Sequence, residues 1–369
     1  MTFCFSSVNF RKAILKLTFS FGAIFTAAVA APHAHAQLKP LATITLDCRA
    51  LAISSSGLSA CAAFHQMGFK KYTIERDDIW TVTREGKRKR IVDGVRLVQT
   101  DTPFSFAMRG LAFSPDGKLL TVQMTTAQVT DAEGTTQENK MVDLIDSEGK
   151  EISVAGTKTS VILDAVQATW LADDQTVVYL LPSEESDLLY QIGLTKPKEG
   201  KGNPIFVGHL FTAVSWDPSR NSAFAVERNK AFDEPIKLVR LDLIHETETP
   251  LADLSAYLGQ LSISPSGNKI AYFTDGETLE VRSLPNPQTP VKVHCVYGSF
   301  VWGPDENRIL LKRGPENKSG DLNWVSIPDG TLTPILHDLI FRSFALSPDG
   351  HTIAVIEPGS NHLEVYPLP

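Results

Sequence analysis

The chain has 369 residues, 43% of them apolar and 21% charged, a composition that excludes a disordered polypeptide and allows a sizeable core. Its 42 acidic and 35 basic side chains give a formal charge of -7, which disfavours a general phosphate-binding surface and with it a nucleic-acid partner. With 24 Gly and 22 Pro and no long amphipathic helical period, the composition points to an all-β protein.

At the N-terminus, Arg11, Lys12 and Lys16 lead into an apolar run from Leu17 to Ala31, and Ala34-His35-Ala36 precedes Gln37. A charged leader, an apolar stretch and a small-x-small cleavage site in that order read as a secretory signal peptide, residues 1–36. Residues 37–369 then form one exported domain, periplasmic or secreted. An uncleaved anchor is the alternative, but the run falls short of the ~20 apolar residues of a spanning helix, so no membrane span is expected after cleavage. Losing this segment removes three cations and no acids, which moves the net charge to -10. Three cysteines remain, Cys48, Cys61 and Cys295. Cys48 and Cys61 flank a turn at Ser54–Gly57 and are the expected pair for one disulfide in an oxidising compartment, with three buried thiols as the competing reading.

Leu41 to Leu46 alternates apolar with polar or small residues, as a strand does. The next unit reads as strands at Ser59–Phe64, Ile79–Thr83 and Arg88–Val92, with a long insertion from His65 to Asp78 and a turn at Arg84–Lys87. From there a Ser-Pro-Asp-Gly-like turn followed by an apolar strand recurs along the chain. The clearest copies are Ser114-Pro115-Asp116-Gly117, Ser264-Pro265-Ser266-Gly267 and Ser347-Pro348-Asp349-Gly350. Weaker ones begin at Ser54, Leu171, Asp217 and Gly303. Proline sets φ at the second turn position, Asp caps the turn and Gly accepts positive φ, so each copy links two antiparallel strands.

Successive copies lie 39 to 60 residues apart, the size of a propeller blade. Before each turn, large side chains such as Phe113, Trp170, Trp216 and Trp302 alternate with small ones such as Ala112, Thr169 and Ser215. Stacked blades need this, a bulky face on a small one. The expected fold is a seven-bladed β-propeller of four-stranded antiparallel blades, with six blades as the alternative. The last unit ends after its third strand, His362–Pro367, and the strand within Leu41–Leu46 is expected to supply the fourth and close the ring.

These Ser-Pro-Asp-Gly repeats, each followed by an apolar strand, resemble the WD40-like repeats of TolB-type propellers and of the propeller domain in prolyl-oligopeptidase-type peptidases. The resemblance covers nearly all of 37–369 and implies a fold, not an activity. The extra α/β domain of TolB itself is missing between the leader and the first blade. The Gly-x-Ser-x-Gly nucleophile turn of the peptidases does not occur either, which argues against that chemistry.

The long insertions at 65–78, 125–140, 182–187, 228–235 and 314–321 all follow the second strand of a unit, so one face is expected to carry the recognition loops. At the entry of the inner strand, six positions before the turn, stand Arg49, Arg109 and Arg342. They come from neighbouring blades of a closed ring and are the candidate ligand-binding residues, able to hold a carboxylate or phosphate. The competing reading pairs each with a nearby acid such as Asp47, Asp101 or Asp338. The basic run Arg84–Arg90 reads as protection of a strand edge. Glu75, Asp77 and Asp78 lack the spacing of a calcium loop, and the histidines show no paired ligand spacing. No catalytic residue, metal ligand or cofactor is assigned. The expected function is a non-enzymatic, monomeric propeller that binds a protein or peptide. A lactonase- or hydrolase-type enzyme with its site in the channel is the alternative.

Overall fold

A hairpin closes cheaply when its turn satisfies its own backbone groups, and the repeated turns do so. The computed structural model describes residues 38–97, 103–129, 136–152, 161–184, 186–196, 203–217, 221–228, 235–257, 259–284, 286–294, 298–313, 319–340, 343–357 and 362–368. The predicted leader, Cys295 and Arg342 lie outside the described residues. In the turn at Ser114, the Gly117 N–H donates to Ser114 O at 2.9 Å and the Ser114 N–H to Leu119 O at 2.9 Å. The Asp116 carboxylate accepts from Ser114 Oγ at 2.7 Å and from the Lys118 N–H at 2.9 Å. Gly117 takes φ +75°, and Gly267 and Gly350 take +68° and +72° in the matching turns. Where the glycine is missing, Asp174 and Glu306 adopt φ 51° and 56°, a conformation that costs a side-chain-bearing residue about 1–2 kcal/mol.

These turn carboxylates make part of the stability dependent on pH. Burial opposes ionisation of Asp116, but hydrogen bonds from Lys118 and Ser114 outweigh it and bring the carboxyl down to about 2. Hydrogen bonds from Ser347 and the His351 N–H, with Arg84 nearby, hold Asp349 well below the carboxylate range. A carboxyl whose folded value is depressed stabilises the fold above its unfolded value of about 4, and that contribution disappears as pH falls through the folded value. Melting temperature is therefore expected to drop between about pH 4 and pH 2. In Asp116→Asn part of that slope is absent, which thermal melts across this window measure.

The described strands pair antiparallel. Four sheets run in simple chain order. They begin with the inner strands Cys48–Ile53, Phe104–Phe113, Gly259–Ile263 and Phe300–Trp302 and end with the outer strands Arg88–Val92, Val161–Leu163, Asn286–His294 and Leu332–Ile340. Between the second and third of these lies an eight-stranded sheet, a path of seven strands from Gln167–Trp170 to Thr247–Leu254 with Asn203–Ile205 paired beside Ser186–Thr195, and its halves meet through the single pair Tyr190 and Phe211. The remaining four-stranded sheet joins the two ends of the domain. Its strands Ser343–Leu346, Thr352–Glu357 and His362–Pro367 are the last in the chain, and Ala42–Thr45 pairs alongside, Ala42 opposite Val365 and Thr45 opposite His362. The insertion after the second strand of the first sheet forms a two-stranded ribbon, Gln66–Phe69 with Tyr72–Glu75. Among the described residues the helical content is one short turn, Gly94–Leu97, and no helix there is long and apolar enough to cross a membrane.

The apolar faces meet as the alternation of large and small residues requires. In one cluster the first sheet contributes Ala50, Ala60 and Ala62, and the second sheet sets Phe106, Met108 and Leu120 against them. Similar clusters join each sheet to its successor in the chain, and one around Ile44, Cys48, Cys61, Ile356 and Val365 joins the first sheet to the last.

Candidate functional site

Six positions before the turn, the inner strand bulges. Pairing between Cys48–Ile53 and Ser59–Ala63 skips from Cys48 to Ala50, so Arg49 is the extra residue. The second sheet skips from Met108 to Gly110 and leaves Arg109 in the same role. A bulge re-aims the side chain of its unpaired residue, and here it turns two guanidinium groups from adjacent sheets toward one carboxylate. Arg49 grips Glu75 with both nitrogens, Nη1 to Oε2 at 2.8 Å and Nη2 to Oε1 at 3.2 Å, while its plane lies 3.9 Å from the centre of the Phe64 ring. Arg109 Nη2 stands 3.9 Å from the same Glu75 Oε2. The two differ in exposure, 17% for the Arg49 side chain against 53% for Arg109, so Arg109 presents its charge to solvent.

Glu75 ends the ribbon, held by its own N–H donating to Ser105 Oγ at 3.1 Å. Two residues on, Asp77 is fully buried, accepts from the Met108 N–H at 2.9 Å and the His65 N–H at 3.3 Å, and lies 4.0 Å from Arg49. Burial pushes its carboxyl up, against the pull of those N–H groups and of Arg49. Arg76 points the other way, buried between the rings of Phe104 and Phe106, and burial lowers its pKa. The end of the ribbon and the two residues after it thus set an acid, a base and an acid in succession beside the second sheet's inner strand. The ribbon also holds Lys70 and Lys71 out to solvent beside half-buried Phe69 and Tyr72.

Of the three arginines singled out in the sequence, Arg49 and Arg109 come together, and their common partner is Glu75. Arg342 lies outside the described residues. Cys48 and Cys61 are joined by a disulfide with a Cα–Cα distance of 5.6 Å. Cations of the basic run engage acids on this and neighbouring sheets. Arg84 pairs with Asp349 at 2.6 Å, Lys89 with Glu148, and Arg90 with Asp93 at 2.8 Å.

One constellation carried no signal in the sequence. His209, just ahead of the inner strand Phe211–Asp217, meets Glu227 at the end of Ser222–Glu227 and Glu248 in Thr247–Leu254. Their ligand-capable atoms all lie within 4.8 Å of one another. The residues come from three separate segments, so no motif spacing announces them.

No protein family matches the chain, and no curated protein matches its sequence. Solved structures do. A chain in the crystal structure of the mitotic checkpoint complex superposes with a TM-score of 0.58 at 14% identity, covering 95% of this chain and 99% of that one. The Myceliophteria thermophila Cps50 (Swd1) β-propeller domain superposes with a TM-score of 0.59 at 10% identity, covering 90% and 100%. At such identities the likeness shows the fold, a β-propeller, and leaves function to be argued from the surface.

Proposed function

We propose that this protein is an exported, seven-bladed, TolB-like propeller that binds a protein or peptide partner as a monomer and catalyses no reaction. Seven blades follow if the eight-stranded sheet is divided at its one joining pair, Tyr190–Phe211, which is far weaker than the multi-residue ladders on either side. Closure by the N-terminal strand is supported by the pairing of Ala42–Thr45 with the last strand and by the apolar cluster between first and last sheets. The charged and apolar segments of the first 36 residues, together with a disulfide, support export to an oxidising compartment.

The observation that carries the binding role is the paired bulge. Arg49 is committed to Glu75, and that ion pair holds the ribbon beside Arg109, whose guanidinium remains half-exposed. The partner this surface suits offers a carboxylate to Arg109 and acidic groups to Lys70 and Lys71, with an apolar side chain for Phe69 and Tyr72. A charge-assisted hydrogen bond is worth about 1.5–3 kcal/mol, so Arg109→Ala is expected to weaken binding by roughly tenfold or more while leaving melting temperature unchanged. Crosslinked partners recovered from the envelope and secreted fractions with wild type and with Arg109→Ala test this. Equal recovery by both removes the arginine surface from the reading. The N-terminal sequence of the recovered protein tests export, a start at Gln37 being the expected result.

A further inference from the structure

We propose that His209, Glu227 and Glu248 form a binding site for a divalent transition-metal cation, with Zn2+ the best match to one imidazole and two carboxylates. The inference is independent of the partner-binding surface, because the three residues belong to a different part of the domain. Its starting point is a shortage of protons. His209 Nδ1 lies 2.7 Å from Glu227 Oε1 and 2.9 Å from Glu248 Oε2. One ring nitrogen carries at most one proton, so it donates to one of the two oxygens. The hydrogen-bond geometry assigns that bond to Glu227, and Glu248 Oε2 is left shielded from solvent with no hydrogen-bond partner.

Two carboxylates drawn this close around a single nitrogen repel each other. A cation between the three groups relieves the repulsion and the unpaired oxygen together, which a single proton on Nδ1 does not. Both donor types suit Zn2+ and Mn2+. Around a tetrahedral ion with bonds of about 2.0–2.1 Å, neighbouring ligand atoms stand about 3.3 Å apart. The present 2.7 and 2.9 Å contacts therefore need to open by only about half an ångström, well within the reach of two glutamate side chains.

The frame around the site is firm on one side and open on the other. Phe211 is fully buried and its ring lies parallel to the imidazole, with centroids 6.5 Å apart. The Arg228 N–H donates to Leu210 O at 3.1 Å, tying the segment of His209 to the end of the strand that carries Glu227. The two glutamate side chains are each 17% exposed and the imidazole 41%. Three protein donors leave at least one coordination position, reached from the solvent side of the ring, for water or for a carboxylate of a bound molecule.

The test is calorimetric titration of Zn2+ into the metal-depleted full chain, with Mn2+ and Ca2+ for comparison, in wild type, His209→Ala, Glu227→Gln and Glu248→Gln. The expected result is one Zn2+ per chain, a melting temperature that rises with Zn2+, and an affinity at least about tenfold lower in each variant. Without metal, Glu248→Gln is expected to melt no lower than wild type, since it removes a like-charge contact. This readout separates loss of a ligand from loss of fold. No stoichiometric binding overturns the proposal. Binding of equal strength in all three variants also overturns it, because the metal then sits elsewhere.

Discussion

Ile44→Asp is expected to cost at least about 4 kcal/mol, a large part of the ordinary 5–15 kcal/mol stability of a folded protein. Ile44 is 5% exposed on the strand Ala42–Thr45, between Leu363 and Val365 of the last sheet and Cys61 and Val82 of the first. Truncating such a side chain alone costs about 2–5 kcal/mol, and a carboxylate left in the same cluster without a partner adds its desolvation cost. The strand is short, four residue pairs and a bond from the Leu41 N–H to Val365 O at 2.6 Å, so little else holds it once its one deeply buried side chain is spoiled. Thr45→Asp is the control. It sits one residue further along, exposed and opposite His362, and is expected to shift stability by less than about 1 kcal/mol. Side chains alternate faces along a strand, so a register slipped by one would reverse the two outcomes. Denaturant midpoints of the two variants decide it. A small effect of Ile44→Asp would mean that the terminal strand is not needed for the fold.

The features legible in the sequence are those written in local chemistry. The turn at Ser114–Gly117 needs Pro for one φ value and Gly for another, and each residue acts within four positions of its neighbours. The terminal strand was legible for a different reason: a unit that stops one strand short must find its fourth strand elsewhere, and Leu41–Leu46 has the right alternation. The candidate sites are legible only in part. Arg49 and Arg109 stand out because they recur at one position of the repeat, but the bulges that aim them are a property of pairing with the next strand. Their shared acid was not among Asp47, Asp101 and Asp338. Glu75 reaches Arg49 across 26 residues because the insertion folds back as a ribbon, and nothing in its composition fixes where it lands. His209, Glu227 and Glu248 are brought together only by the arrangement of the strands. The sequence signal that comes nearest is a pair of glutamates near strand ends, too common to single out.

The double variant Cys48→Ala/Cys61→Ala is expected to lose about 3 kcal/mol. The bond closes a segment with a sequence separation of 13, and removing a cross-link of that span returns conformational entropy to the unfolded chain worth about 3 kcal/mol at 25 °C. Its place in the fold adds to the effect. Both cysteines are fully buried, on the face of the first sheet that packs against Ile44, Ile356 and Leu363, so the cross-link stiffens the contact between the first and last sheets. Cys48 pairs with Ala63 and Cys61 with Leu51, with the Arg49 bulge between them. The disulfide therefore also pins the backbone next to the arginine that grips Glu75, and losing it is expected to weaken partner binding through Arg109 as well as the fold. With both sulfurs buried, a reductant reaches the bond only when the first sheet opens, so reduction of the native protein is expected to be slow and to speed up sharply near the denaturation midpoint. Two curves carry the test. The wild-type denaturant midpoint should fall toward that of the double variant when reductant is present, and the double variant should not respond to reductant. Coincident midpoints for wild type and variant without reductant would show that the cross-link contributes nothing to stability, and a reductant response in the variant would place Cys295 in a disulfide between two chains.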